Sequence, residues 1–213
     1  MSKTYKMGMI GAGNMGSGIA QKMAQEGLTV VLVDTKQEFV DRGLNTIRTI
    51  LQQGVERKIF TQEKVEETLS RIHGTTDLND VADCDLVVEA IFEDLQVKKD
   101  MFAKLDNVCK PETVLASNTS SFYISDLASA TNRPDRVVGM HYFFHPAKNR
   151  LLEIVPHEGT SEETVEFAQL IAKLHSKTAI LVKDAPGFTV NRVFIPWYVT
   201  AIRIYEEGIA NIP

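Results

Sequence analysis

The chain has 213 residues, of which 44% are hydrophobic and 24% are charged, which is typical of a globular protein with one sizeable core. Its formal net charge of −5 and its lack of dense basic clusters argue against a nucleic-acid partner. No apolar run is long enough to span a membrane, and the chain opens directly into a predicted strand. We therefore expect no membrane segment and no signal peptide. Two cysteines, Cys84 and Cys109, form no C-x-x-C motif and favour a reducing, cytoplasmic compartment.

The N-terminal segment combines a strand, a glycine-rich turn, a helix and a second strand. In "MGMIGAGNMGSGIAQKMAQEGLTVVLVD", Gly11, Gly13 and Gly16 have G-x-G-x-x-G spacing. Such glycines allow a tight turn, close approach to a pyrophosphate and helix–strand packing, while the helix N-terminus faces the phosphates. Asp34 ends the second strand, where a carboxylate accepts hydrogen bonds from a ribose and repels the extra phosphate of NADP. The pattern favours an NAD site over a purely structural turn.

The rest of the chain alternates between helical and strand patterns. Residues 37–70 are predicted to form two amphipathic helices that could be an arm standing off the sheet. Further helices are predicted at 95–108, at about 161–174 and from about Phe188, where Pro196 should cause a kink or the loss of one backbone bond. Strands are predicted at 71–75, 86–90, "TVLAS", "RVVGMH", 151–155 and "TAILVKD". This alternation predicts an α/β fold with a Rossmann-type, doubly wound, mostly parallel sheet.

Polar groups follow the carboxyl ends of several predicted strands. They comprise the 11–16 loop, Asp34, Glu93, residues 117–121 and His141. Carboxyl ends of parallel strands meet at one edge of a sheet, where ligands of doubly wound folds bind. We therefore expect these groups to converge on one site.

His141 is the strongest candidate for acid–base chemistry. Oxidation of an alcohol by a nicotinamide cofactor needs a base for the hydroxyl proton, and histidine titrates near physiological pH. Glu153, within an apolar strand, is the candidate to fix the tautomer of the ring, although strand alternation would equally place it in solvent. Asn191 interrupts an apolar helix start and either donates to a substrate oxygen or caps the backbone.

Other chemistries are disfavoured. His141 and His145 lack a completing ligand set, so we expect no metal site. A serine hydrolase built on "SNTSS" would lack the G-x-S-x-G elbow and leave the dinucleotide unit without a purpose. His73, His157 and His175 are expected to be structural or solvated.

Six motifs together resemble the L-3-hydroxyacyl-CoA dehydrogenase family, and within it most closely the bacterial 3-hydroxybutyryl-CoA dehydrogenases. They are "GAGNMGSGIAQ…VVLVD", "DLVVEAIFED…VKK", "LASNTSS", "GMHYF", "LLEIV" and "DAPGFTVNR". The resemblance covers essentially the whole chain. It implies reversible, NAD-dependent oxidation of L-3-hydroxyacyl-CoA to 3-ketoacyl-CoA, as in β-oxidation and butyrate metabolism.

The resemblance also implies residue roles. His141 would be the general acid/base with Glu153 as its partner. Ser120 would bind the substrate oxygen, Asn191 would hold the substrate carbonyl, and Arg57 in the helical arm would serve a phosphate of coenzyme A. The residues implied for NAD are Gly11, Ala12, Gly13, Asn14, Met15, Gly16, Asp34, Glu93, Lys98, Asn118 and Ser120.

Two local departures from the family pattern bear on the substrate. "HYFFHP" puts Phe144, or His145 if the loop shifts by one residue, where the family has an asparagine that contacts cofactor and substrate. Ile50 stands near a position where the family often has a polar or basic group. A dehydrogenase of a free hydroxy acid or sugar acid therefore stays open.

The length is a third departure, because the family normally continues with a helical domain that completes the acyl-CoA site and forms the dimer. We expect an NAD-binding catalytic domain in residues 1–186 and the start of a truncated helical domain in 187–213. The family homodimer is an open question for such a chain. A catalytically silent NAD-binding module is the remaining alternative.

Overall fold

An eight-stranded sheet organises residues 4–211, the part of the chain that this computed structural model describes. The strands are β1 (Lys6–Ile10), β2 (Thr29–Val33), β3 (Ile72–Thr75), β4 (Leu86–Glu89), β5 (Val114–Ser117), β6 (Val137–Tyr142), β7 (Leu151–Val155) and β8 (Thr178–Leu181). The helices are α1 (Asn14–Gln25), α2 (Gln37–Glu56), α3 (Gln62–Ser70), α4 (Leu95–Val108), α5 (Ile124–Ala128), α6 (Glu162–Leu174) and α7 (Val190–Glu206).

The strand order is β3-β2-β1-β4-β5-β6-β7-β8. Strands β1 to β6 are mutually parallel, β7 runs antiparallel to β6, and β8 is parallel to β7. The predicted doubly wound, mostly parallel sheet is confirmed. Strand order reverses between β1 and β4, which is where such sheets form their ligand crevice.

Alternate residues of each central strand pack into two separate cores, one on each face of the sheet. In β2, Val30 and Leu32 join the core beneath α1, α2, α3 and α6, whereas Val31 and Val33 join the core beneath α4 and α5. Burial on both faces explains why these strands read as continuous apolar runs rather than as alternating ones. Both faces of the central strands are therefore covered by helices.

The helical pair α2–α3 was expected as an arm that could stand off the sheet. Its two helices form as predicted, but their inner faces are packed against the domain. Val40, Ile47, Leu51 and Val65 are at most 2% exposed and lie against α1 and β3. The pair is thus a layer of the domain, because its apolar stripes need cover.

Helix α7 differs from all the other long helices of the described chain because every residue from Arg192 to Glu206 is exposed. None of its residues is buried, and its apolar side chains include Phe194 and Trp197. The helix runs through Pro196 without interruption. Just before it, Phe188 is only 3% exposed and ties the segment to the core under α4 and α5. No helix among residues 4–211 has both the length and the apolar character needed to cross a membrane.

Candidate active site

The loop between β1 and α1 is folded as the glycine spacing predicts. Gly11 has a φ of 101°, and its N–H donates to the carbonyl oxygen of Val33 at 2.8 Å. A Cβ added at Gly16 would lie 1.8 Å from the Gly11 carbonyl oxygen. Only glycine allows this turn and this closeness of helix and loop.

The N-terminus of α1 presents unpaired backbone donors to an open space. A Cβ added at Gly13 would meet no atom within 4 Å. The first helical hydrogen bond is made by the N–H of Ser17 to the Gly13 carbonyl, so the amides of residues 14–16 have no intrahelical partner. No acidic side chain lies in this first turn. The helix end is therefore free to bind a pyrophosphate.

Asp34 lies at the end of β2 and is fixed by two backbone amides. Its Oδ2 accepts from the N–H of Ala12 at 2.8 Å, and its Oδ1 accepts from the N–H of Thr35 at 2.7 Å. Asp34 also lines a cavity of about 710 Å³ beside the glycine loop. The other residues lining this cavity include Gly11, Gly13, Asn14, Met15, Phe39, Phe92 and Met101. The volume of this cavity and the Asp34 carboxylate that lines it together with the ring of Phe39 suit an adenosine ribose with its base, since Asp34 can accept from ribose hydroxyls.

His141 lines an adjoining cavity of about 360 Å³ at the same edge of the sheet. The cavity also takes in Met15 from α1, Glu93 and Lys98 from the β4–α4 region, and Asn118 and Ser120 from the loop after β5. The predicted polar groups thus converge, as parallel strands require. Strand β6 extends one residue past His141, to Tyr142, rather than ending on the histidine.

His141 and Glu153 form a buried pair. Their Cα atoms are direct partners in the antiparallel β6–β7 ladder, and Nδ1 of the imidazole lies 2.7 Å from Oε2 of the carboxylate. Glu153 is completely buried and His141 is 5% exposed. The other carboxylate oxygen, Oε1, accepts from the N–H groups of Thr189 and Val190 at 2.9 Å each. Glu153 therefore faces inward, and it also binds the free amides at the start of α7.

The pair leaves one ring nitrogen for chemistry. A carboxylate only accepts hydrogen bonds, so Nδ1 of His141 donates to it, and in the neutral ring the lone pair is then on Nε2. No hydrogen bond to Nε2 occurs within the described part of the chain. The rings of Phe143 and Phe188 lie 4.5 and 5.5 Å from the imidazole, between centroids, and hold its plane.

The loop after β5 is tied to the loop after β4. Glu93 Oε1 accepts from the Thr119 hydroxyl at 2.5 Å and from the Ser120 N–H at 3.2 Å. Burial alone would raise the pKa of Glu93, but the Thr119 hydrogen bond and the charge of Lys98 outweigh it and lower the pKa below its ordinary value. Asn118 accepts from the Tyr142 N–H through Oδ1 at 2.9 Å, which joins the same loop to β6. Ser120 is thereby held by its backbone on the cavity wall.

Glu89 is a site residue that the sequence patterns above did not single out. This residue ends β4, is completely buried and contacts Lys98, whose Nζ lies 2.7 Å from its Oε1. Lys98 is also buried, and its Nζ lies 3.1 Å from Glu93 Oε2. The signal was available, because an acid inside the apolar run "LVVEA" needs the same explanation as Glu153 does.

Asn191 and Arg57 do not lie in the His141 cavity. Asn191 lines a neighbouring cavity of about 520 Å³ that shares Ser120 with it, so the two are connected through that serine. Arg57 is exposed at the C-terminal end of α2, ~21 Å along that helix from Gly43, where α2 contacts Ala12 of the glycine loop. Phe144 lines the His141 cavity with 72% of its surface exposed. His145 instead turns towards α1, 3.4 Å from a Cβ added at Gly18.

The other histidines are structural or exposed. His175 is completely buried, and its Nε2 lies 3.0 Å from the Tyr142 hydroxyl. His157 lies 2.8 Å from the Pro134 carbonyl through Nε2, and His73 is exposed on the edge strand β3. Across residues 4–211, no group of three or more metal-ligating side chains is arranged to hold an ion.

Comparison with known proteins identifies the family. The sequence pattern described as "3-hydroxyacyl-CoA dehydrogenase, NAD binding domain" matches residues 6–185. The chain belongs to this family. Its cofactor is accordingly NAD, and the open glycine loop, the free α1 amides and Asp34 fit that group.

Individual relatives carry related names. A probable 3-hydroxybutyryl-CoA dehydrogenase of Deinococcus radiodurans is 46% identical over 206 residues, which are 97% of this chain and 74% of that protein. A 3-hydroxybutyryl-CoA dehydrogenase of Clostridioides difficile is 39% identical over 97% of this chain and 73% of that protein. The crystal structure of M. tuberculosis FadB2 superimposes with a TM-score of 0.95 at 36% identity, covering 99% of this chain and 75% of that chain. This chain thus spans about three quarters of the length of such relatives.

Proposed function

We propose that this chain catalyses the reversible, NAD-dependent oxidation of an L-3-hydroxyacyl-CoA to a 3-ketoacyl-CoA. The observation that carries the proposal is the buried His141–Glu153 pair at the edge of the sheet where the dinucleotide loop also lies. NAD supplies the hydride acceptor when it is bound. The residues of the chain bind and orient both partners and move the hydroxyl proton.

In this proposal, His141 takes the proton of the substrate hydroxyl at Nε2. The Glu153 carboxylate accepts from Nδ1–H, which fixes the productive tautomer and stabilises the imidazolium that forms. The two amides at the start of α7 hold Glu153 in place, so its orientation does not depend on the substrate. In the reverse direction His141 returns the proton to the ketone oxygen, by microscopic reversibility.

Two further side chains orient the substrate. Ser120 lies between the His141 cavity and the Asn191 cavity, where a hydroxyl can hydrogen-bond to the reacting oxygen. The Asn191 amide is assigned to the thioester carbonyl, one cavity further from the dinucleotide loop. Holding both oxygens presents the 3-carbon at a fixed angle, which lowers the entropic part of the barrier.

The cofactor-binding residues proposed are those of the glycine loop with Asp34, together with three groups around the nicotinamide end. The amides of residues 14–16 bind the pyrophosphate, and Asp34 binds the ribose through the lone pairs that Ala12 and Thr35 leave free. Lys98, Glu93 and Asn118 line the cavity in which the reacting ring must meet His141.

Coenzyme A is assigned to the outer surface of the α2–α3 layer, with Arg57 as a phosphate ligand. Arg57 is exposed and free to turn towards an anion.

The catalytic domain is proposed to comprise residues 1–186, and residues 187–213 to begin a second, helical unit. Two unpaired thiols, Cys84 and Cys109, are consistent with a cytoplasmic protein.

The test is acetoacetyl-CoA-dependent oxidation of NADH, followed by absorbance, with the wild type and His141→Gln. We expect turnover in the wild type and its loss in the variant. His73→Gln is the matched control, because this exposed histidine lies on the edge strand, away from both cavities. Equal activity in wild type and His141→Gln would refute the role of His141. Bound NADH without any turnover would favour the silent NAD-binding module.

A free hydroxy acid is the second candidate substrate, and the observation that favours it is Phe144. Its exposed ring stands in the cavity wall where the family pattern has an asparagine, so one polar contact to an acyl-CoA is missing. Competition between acetoacetyl-CoA and free acetoacetate separates the two candidates. Faster turnover of the free acid would favour the second.

A further inference from the structure

Glu89 is a buried carboxylate to which the proposed mechanism gives no role. It ends β4 and is completely shielded from solvent. Its Oε1 accepts from the Ile91 N–H and from Lys98 Nζ, both at 2.7 Å, while its Oε2 accepts from the Ser117 hydroxyl at 2.7 Å. Both oxygens of this carboxylate therefore have donors, one of them the ammonium of Lys98, which compensates for its burial.

Glu89 belongs to a cluster of three charges. Lys98 Nζ lies between Glu89 and Glu93, at 2.7 and 3.1 Å. Glu89 and Lys98 are almost fully buried, whereas the Glu93 side chain is 39% exposed, on the wall of the His141 cavity. The cluster sums to one negative charge, and that charge stands on the cavity wall.

The position of this charge matters because the two forms of the cofactor differ in charge at one place. Oxidised nicotinamide carries one more positive charge than the reduced ring does. The ring must enter the His141 cavity, since the hydride leaves the same carbon whose hydroxyl gives up its proton. A net negative wall therefore stabilises the oxidised ring relative to the reduced one, and a partly buried site is little screened by salt.

We propose that Glu89 is a positioning residue that neutralises Lys98, leaves the charge of Glu93 uncompensated and thereby makes the cavity favour oxidised nicotinamide. The inference rests on the proposed function, because it needs the nicotinamide in the His141 cavity. Without Glu89, Lys98 would pair with Glu93 alone, and the cluster would become neutral.

The test measures the dissociation constants of NAD⁺ and NADH separately, by calorimetry, with no acyl substrate present. Glu89→Gln removes one negative charge and nearly preserves shape. In this variant we expect the ratio of Kd for NAD⁺ to Kd for NADH to rise about 3- to 10-fold. This is the effect of removing one negative charge that faces the positive nicotinamide ring across the cavity, at an effective dielectric constant of about 20–40. The double variant Glu89→Gln/Lys98→Met restores the net charge, so its ratio returns to the wild-type value.

Asp106→Asn is the matched control. Asp106 pairs with Arg133 at 2.7 Å in the last turn of the same helix α4, with 5% of its side chain exposed. Breaking this pair should lower stability and leave the ratio unchanged. An unchanged ratio in Glu89→Gln, or an equal rise in Asp106→Asn, would overturn the inference.

A third variant covers the case in which Glu89→Gln does not fold. Lys98→Met alone makes the cluster more negative, so its ratio should fall below that of the wild type whatever its absolute affinity. An unchanged or higher ratio would overturn the inference. A wild type that binds neither nucleotide would refute the proposed function itself, which separates the two failures.

Discussion

Replacing Glu153 by glutamine is the sharpest perturbation of the proposed chemistry. The glutamine oxygen can keep the two hydrogen bonds from the Thr189 and Val190 amides, so the start of α7 retains its partner. The new NH₂ group then faces Nδ1 of His141, 2.7 Å away. An amide NH₂ only donates, so Nδ1 must become the acceptor and the ring proton moves to Nε2. Nε2, which has to accept the proton of the substrate hydroxyl, then already carries a proton.

The expected loss follows from this change of tautomer. In serine proteases the corresponding acid-to-amide change lowers kcat about 10⁴-fold. Here we expect a fall of about 10³- to 10⁴-fold in kcat/KM, which corresponds to ~4–5.5 kcal/mol of transition-state stabilisation. The fold should lose far less, about 1–2 kcal/mol, because one charge-assisted hydrogen bond becomes a neutral one.

The assay is the steady-state reduction of acetoacetyl-CoA by NADH, with a thermal melt of each protein beside it. A Tm lowered by only a few degrees would show that the lost activity is not lost folding. The affinity for NADH should be nearly unchanged, since Glu153 lies behind the histidine rather than on the cavity wall. A variant that retains more than a tenth of wild-type kcat/KM would refute the assignment of Glu153 as the partner of His141.

Three further predictions concern binding, pH and thiol chemistry. Gly13→Ala should keep the wild-type Tm and weaken NADH binding, because its new Cβ meets no protein atom within 4 Å. Gly16→Ala should lower the Tm by several degrees, because its Cβ would lie 1.8 Å from the Gly11 carbonyl oxygen. Equal Tm values for the two variants would contradict this. Burial lowers the pKa of His175 to about 4, below about 6.5 in the unfolded chain, so the folded state binds fewer protons. Stability should therefore be full above about pH 6.5 and fall by ~3 kcal/mol as the pH drops towards 4, with a flatter profile of unfolding free energy in His175→Gln. Burial raises the pKa of the Cys84 and Cys109 thiols to about 12 and about 11, so Ellman's reagent should label neither in the folded protein and both in denaturant.

Local patterns predicted most of the secondary structure. Helix α4 begins and ends at the predicted residues, Leu95 and Val108, because Asp94 caps its start through a hydrogen bond to the Val97 N–H. The glycine loop was equally readable, since the steric demand of a turn is carried by the residues of the turn itself. The packing of α2–α3 against the domain was not predictable from the sequence, because an apolar stripe shows that a helix must be covered but does not show by which element.

The sequence predicted which edge of the sheet gathers the polar groups, but it did not predict how the buried carboxylates are oriented and paired. Asp34, Glu93 and His141 each follow or end a predicted parallel strand, and this alone predicted that they lie at one edge of the sheet. The orientation of Glu153 stayed undecided between core and solvent, because strand alternation allows either face. The partner of Glu89 was not predictable, because Lys98 lies nine residues on, across a turn whose path the sequence does not give.

The sequence by itself determined the elements, the dinucleotide loop and the edge of the sheet at which that loop and His141 lie, because these depend on residues close together along the chain. Only the tertiary structure decided which charges meet. The antiparallel direction of β7 sets Glu153 opposite His141, and the return of α4 over β4 lays Lys98 on Glu89. Such pairings depend on strand direction and register, which are fixed by how the whole sheet packs rather than by either partner's neighbours in sequence.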